Sequence, residues 1–231
     1  GNGQESTSES MQGWGGVYLL GVALGNVIAG VPLAANGDYA GVPLLGLLSP
    51  FTLVVGALGF AMCMAAGAAW VALKTERTSA VHGRAEKQRH VWHVVALALF
   101  VVATVLAFVV VKAQFAPGML VAGAIFTIAF VVCIAASIAQ AKKGNDLAVF
   151  VLQSIAAVCL VALAAVSLFP NLVVAAPGSV GESITLMNAA SSDTSLAWMT
   201  GIACIGVPLV LVYHVIAYRV FSGRLAEEDV A

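Results

Sequence analysis

Six long intervals of this chain contain no Asp, Glu, Lys or Arg: residues 10–37, 39–73, 90–111, 113–141, 147–181 and 194–218. An uncompensated charge is costly in hydrocarbon, and a helix needs about 20 apolar residues to cross a bilayer core. Every interval is long enough for one crossing, and with short connections the six take up the chain. Composition agrees, since 61% of the 231 residues are hydrophobic and 9% are charged, against about 25% charged in soluble domains. Backbone polar groups in lipid must be satisfied within their own element. The expected fold is therefore all-α: a polytopic membrane helix bundle with six transmembrane helices, residues 1–231 forming a single transmembrane domain. Proline and polar boundaries trim the helices to about 13–34, 50–73, 90–111, 118–140, 147–169 and 195–221.

Orientation follows from the basic residues, because Lys and Arg in short loops are retained on the cytoplasmic side. Lys74, Arg77, Arg84, Lys87 and Arg89 follow the second helix, Lys142 and Lys143 follow the fourth, and Arg219 and Arg224 follow the sixth. Nine of the ten basic residues thus lie on one side, with Lys112 opposite. Both termini are expected in the cytoplasm, and the segments near Asp38, near Lys112 and from Asn171 to Thr194 outside. The long Asn171–Thr194 connection mixes turn residues with Leu172, Val173, Ile184 and Leu186. It is expected to fold back as a cap, with Ser192, Asp193 or Thr194 capping the last helix. The first ten residues, GNGQESTSES, lack the basic and apolar regions of a signal peptide, and the chain reads as cut from something longer.

A net charge of −1 argues against nucleic acid as a partner. Cys63, Cys133, Cys159 and Cys204 sit singly in apolar runs and read as small membrane-buried side chains. Within the spans, Asn26, Thr104, Thr127, Ser137, Gln153 and Ser154 are expected to tie helices together. Gly21, Gly25 and Ala29, and likewise Gly59, Cys63 and Gly67, form narrow small-residue faces suited to close helix contact. His82, His90 and His93 fall at a hydrated boundary with no carboxylate or Cys to complete a site, so a solvated role is expected. His214 lies inside the last span between Tyr213 and Tyr218, and an intramembrane His is a candidate ligand or proton relay. No Asp or Glu falls inside an expected span, which argues against a self-sufficient ion-coupled transporter. No catalytic, cofactor-binding or metal-ligating residue is assigned from these patterns.

Several short motifs in order carry further. GVALGNVIAGVPL is followed by LLSPFTLVVGALG and KTERT, and the chain closes with SLFPNLVVAAPGSVGESITLMNAASSDTSLAWMT and VPLVLVYHVIAYRVFSGRL. This order resembles subunit II of the cytochrome bd quinol oxidases, whose later half has a GN-x-x-x-GVP helix, an L-x-PF helix and an FP…NASS…MT…VP segment. The resemblance runs from about Trp14 to Asp229 and implies the later part of that subunit, with its N-terminal helices missing. It implies a haem-poor structural subunit of a respiratory terminal oxidase that oxidises quinol and reduces dioxygen to water. The implied partners are the bilayer and a haem-bearing subunit I with haems b and d, in a bacterial plasma (inner) membrane. This chain by itself is expected to bind no haem and to be non-catalytic. The alternatives are a small membrane transporter, for which Pro208 is the one candidate helix break, and a structural membrane protein of no oxidase.

Overall fold

A computed structural model describes residues 2–36, 38–41, 48–109, 119–176, 178–187, 189–190 and 192–220, with side chains from Gly15 onward except those of Asp193 and Val220. Its six helices are α1 (Asn2–Ala29), α2 (Pro50–Lys74), α3 (Ala80–Val109), α4 (Met119–Lys142), α5 (Asp146–Leu168) and α6 (Asp193–Val220). Five of them, α2 to α6, are long and apolar enough to cross a membrane; in α1 the corresponding apolar stretch is Gly15–Ala29. The protein is all-α apart from a two-stranded ribbon. The expected ends at 110–111, 118 and 221, together with Lys112 and Arg224, lie outside the described residues.

Three helix boundaries depart from the sequence expectation, α1 already starting at Asn2 rather than near 13. The first helix stops at Ala29 rather than near 34, because Gly30 adopts φ +103°, a left-handed conformation open to glycine. The third begins at Ala80 rather than His90. Ser79 is its N-cap, its hydroxyl accepting from the His82 N–H at 3.1 Å, so two charged turns extend the span instead of forming a loop. Two further helix starts are capped. Ser49 and Thr52 form a capping box around Pro50 at the start of α2, and Asn145 accepts from Ala148 N–H at 3.2 Å ahead of α5. Pro208 lies within an unbroken α6.

The α5–α6 connection folds onto the end of α1. Strand β1 (Asn171–Val173) pairs antiparallel with β2 (Ile184–Thr185). Val31 N–H donates to Val174 O at 2.8 Å, Ala176 N–H to Val31 O at 2.9 Å, and Gly181 N–H to Leu33 O at 2.8 Å. These bonds satisfy backbone groups that the early end of α1 releases. Ser192 accepts from Ser195 N–H at 3.4 Å as the cap of α6.

Lipid supplies no hydrophobic drive between helices, so they associate through close packing of small side chains. Helix α2 lies at the centre, against α1, α3 and α5, and α4 packs on α5. A core of Leu58, Ala61, Met62, Phe100, Phe130 and Ile134 fills the space between α2, α3 and α4. The α1–α2 contact is tightest: a Cβ on Gly21 would meet Gly56 Cα at 2.8 Å, and one on Gly25 would meet Thr52 Cα at 2.9 Å. The second small face is used at one end only: a Cβ on Gly59 would meet Gly21 Cα at 3.8 Å, whereas Gly67 has open space around it among the described residues and Cys63 is exposed. All four cysteines are free, Cys159 alone being buried. Along α6 none of the apolar span is buried, and its Tyr218 ring meets Trp70 edge-on at 5.9 Å.

Replacing Gly21 by Leu should destabilise the protein by about 1–3 kcal/mol through overpacking. Gly67→Ala should leave it unchanged. Thermal unfolding in detergent, followed by tryptophan fluorescence, checks the contrast.

Candidate functional site

The buried stripe of α3 runs through His82, Ala85, Arg89, His93, Ala96, Phe100 and Ala103, a three-to-four residue spacing that keeps one face toward the bundle. Three of those positions are ionisable. Taking them inward requires partners, because a buried charge without one is strongly destabilising.

Arg89, 1% exposed, meets Asp146, 4% exposed, through Nη1 and Oδ1 at 2.9 Å. The second carboxylate oxygen of Asp146 faces Arg77 at 3.6 Å and His82 at 4.0 Å. Glu86 closes the cluster, 3.5 Å from Arg89 and 3.8 Å from His82. Arg77 also donates to the Gly144 carbonyl in the turn before α5. That turn places Asp146 in the first turn of α5, where a carboxylate is favoured by the helix N-terminus. The cluster therefore joins the α2–α3 connection, α3 and the start of α5.

One turn deeper lies His93, fully buried. Its Nε2 is 2.8 Å from Gln153 Oε1 on α5 and 3.4 Å from Ser137 Oγ on α4. Gln153 Nε2 donates to the Met62 carbonyl of α2 at 3.2 Å, and Ser137 donates to the Val149 carbonyl at 3.3 Å. Four helices thus converge on one set of hydrogen bonds.

These positions correct the sequence reading. His82 and His93 are buried rather than solvated, while His90 is exposed as expected. A carboxylate pair does stand beside His82: ligand atoms of His82, Glu86 and Asp146 lie within 4.8 Å of one another. Both carboxylates already hold guanidinium groups, so a divalent ion there would displace them and sit beside two permanent positive charges. The arrangement is an ion-pair cluster. Asp146 also lies inside a helix long enough to span, contrary to the expectation of none. Of the mild polar residues, Gln153 and Ser137 do tie helices, whereas Thr104 and Ser154 donate to carbonyls one turn back on their own helices. Asn26 likewise donates to Val22 O at 2.9 Å on α1.

His214 is exposed on α6, its Nδ1 2.8 Å from the Val210 carbonyl and its ring against Tyr213 and Tyr218. The Nε2 of His93 is engaged by Gln153 and Ser137 in a packed interior, and His214 faces outward. Between the helices, away from the cluster, lies a cavity of about 420 Å³ with walls that include Gly21, Phe51, Phe100, Thr127 and Leu163. Two of its hydroxyls, Thr104 and Ser167, are committed to backbone carbonyls at 2.8 Å, so its surface is essentially apolar.

Long apolar helices around a buried ionic and hydrogen-bonded centre define an integral membrane protein of the helical-bundle class. Residues 8–221 match the model of the family described as cytochrome bd terminal oxidase subunit II, and the chain belongs to that family. It is 25% identical to cytochrome bd-I ubiquinol oxidase subunit 2 of Escherichia coli K12 over 266 residues, covering 98% of this chain and 69% of that protein. It is 28% identical to the probable cytochrome oxidase subunit 2 of Haemophilus influenzae over 237 residues, covering 90% of this chain and 62% of that protein.

Asp146→Asn or Arg89→Met should each lower stability by about 3–5 kcal/mol, since each strands a buried partner. The double variant Arg89→Met/Asp146→Leu should recover much of the loss. Unfolding midpoints of the three variants in the same detergent check this.

Proposed function

We propose that this chain is the haem-poor structural subunit of a respiratory terminal oxidase that oxidises quinol and reduces dioxygen to water. It packs in the bacterial plasma membrane against a subunit that carries the haems, haem b and haem d. The family match across residues 8–221 carries this reading. The geometry supports it in two ways. The buried ionisable and amide groups are spent on one another, Arg89 on Asp146 and His93 on Gln153, which serves to lock helices and leaves no pair of ligands facing a cofactor-sized space among the described residues. In addition, α6 leaves its span unburied, a surface available to a second subunit. The basic residues exposed around the α2–α3 and α4–α5 connections, Arg84, Lys87, Lys142 and Lys143, favour that end as cytoplasmic, with both chain termini on the same side.

An affinity-tagged chain expressed from its native membrane should co-purify with a haem-bearing partner, and the complex should show reduced-minus-oxidised visible bands and quinol-dependent oxygen uptake. Dissociated from that partner and mixed with haem, the chain should take up no stoichiometric haem. His214→Ala should leave the spectrum of the complex unchanged. Recovery of the tagged chain without any haem-bearing partner would remove the oxidase reading, and a spectrum altered by His214→Ala would remove the haem-poor one.

A further inference from the structure

Two buried side-chain atoms have no hydrogen-bond partner among the described residues: Arg89 Nε and His93 Nδ1. Their residues are four apart on α3 and both lie on its buried stripe, 1% and 0% exposed. Buried polar groups without a partner are uncommon and call for one.

The two atoms are complementary. A guanidinium Nε–H is always a donor. On the histidine side, Gln153 turns its amide nitrogen to the Met62 carbonyl at 3.2 Å, so the atom facing His93 Nε2 at 2.8 Å is the Gln153 oxygen. An amide oxygen only accepts. His93 Nε2 therefore carries the ring hydrogen, and Nδ1 of the neutral ring is an acceptor. One donor and one acceptor, one helical turn apart, ask for a ligand that accepts and donates at once. Water does both, and buried water typically makes two to four such bonds. Residues four apart on a helix are neighbours on one face, which puts the donor and the acceptor on the same side of α3.

We propose that Arg89 Nε and His93 Nδ1 hold an internal water that joins the ion-pair cluster to the His93–Gln153–Ser137 bonds and lets His93 exchange protons with solvent at the basic end. The groups around the site are Glu86, His82 and His90 on α3, Arg77 on the connection before it, Asp146 and Gln153 on α5, Ser137 on α4 and the Met62 carbonyl on α2. When the water gives a proton to Nδ1, the ring becomes imidazolium and the water regains a proton from a solvent molecule at the cluster. The reverse transfer returns it. Gln153 holds the Nε2 hydrogen and has no proton of its own to relay inward, and the Ser137 hydroxyl beside it is donated to the Val149 carbonyl, so the route ends at His93. The site exchanges protons with one side only.

The test uses the full chain labelled with [15N]histidine in lipid vesicles, studied by solid-state NMR, with the His93 signals assigned as those lost in His93→Phe. The expected spectrum has a protonated Nε2 and an unprotonated Nδ1 with a cross-peak to water. Arg89→Lys keeps the positive charge toward Asp146 but removes the Nε–H, and should abolish the water cross-peak. Absence of that cross-peak in the unaltered chain overturns the proposal, whatever the folding of the variants, as does its persistence in a folded Arg89→Lys chain.

Discussion

The contact between Arg89 and Asp146 fixes how α3 is turned in the bundle. A guanidinium on the inward face of a membrane helix must find a carboxylate there, because the low dielectric that makes the pair attractive makes either member alone prohibitive. Once Arg89 is held at 2.9 Å from Asp146, the 3.6-residue period carries Ala96, Phe100 and Ala103 onto the same inward face. Phe100 then stacks on Phe130 of α4 at 4.4 Å. The pair is weak evidence of added stability in itself, but it selects one rotation of α3 out of several that an almost uniformly apolar helix could adopt. That is a proposal about specificity, and the double replacement at Arg89 and Asp146 bears on it through whether the helices keep one register.

At the other end of the bundle the constraint is backbone rather than charge. Peptide groups released from a helix near lipid need partners, and α1 ends five residues earlier than its apolar run. The chain meets the demand by pairing Val31 and Leu33 with the connection between α5 and α6. A segment with the length of a linker is thereby bound to the α1 end at three backbone positions. Its Gly181 has a use there: a Cβ at that position would come within 2.2 Å of Ala34 O.

On the proposed reading as a subunit that supports a haem-bearing partner, rigidity is the useful property. The polar atoms that lipid makes most expensive to leave alone are placed where several helices cross, and most of the bonds there tie two elements. The faces left free are apolar or made of small residues, as on α6 and along Cys63 and Gly67, and such faces suit lipid or another set of helices.

The sequence by itself determined the class of fold and the approximate place of the helices, because the cost of charge in hydrocarbon and the need for about 20 apolar residues per crossing act locally. It also carried the family motifs. The polar seam was present in the text as His82, Glu86, Arg89 and His93 at spacings of four, three and four. Charge density alone marks a hydrated boundary there, and it is the N-cap at Ser79 that carries the helix through it. No local rule says that Asp146, 57 residues away, comes to rest against Arg89, or that Gln153 meets His93. Those choices belong to tertiary structure, since a buried charge or amide is tolerable only when a partner from another helix is brought within hydrogen-bonding distance, and that distance exists only after the helices have packed.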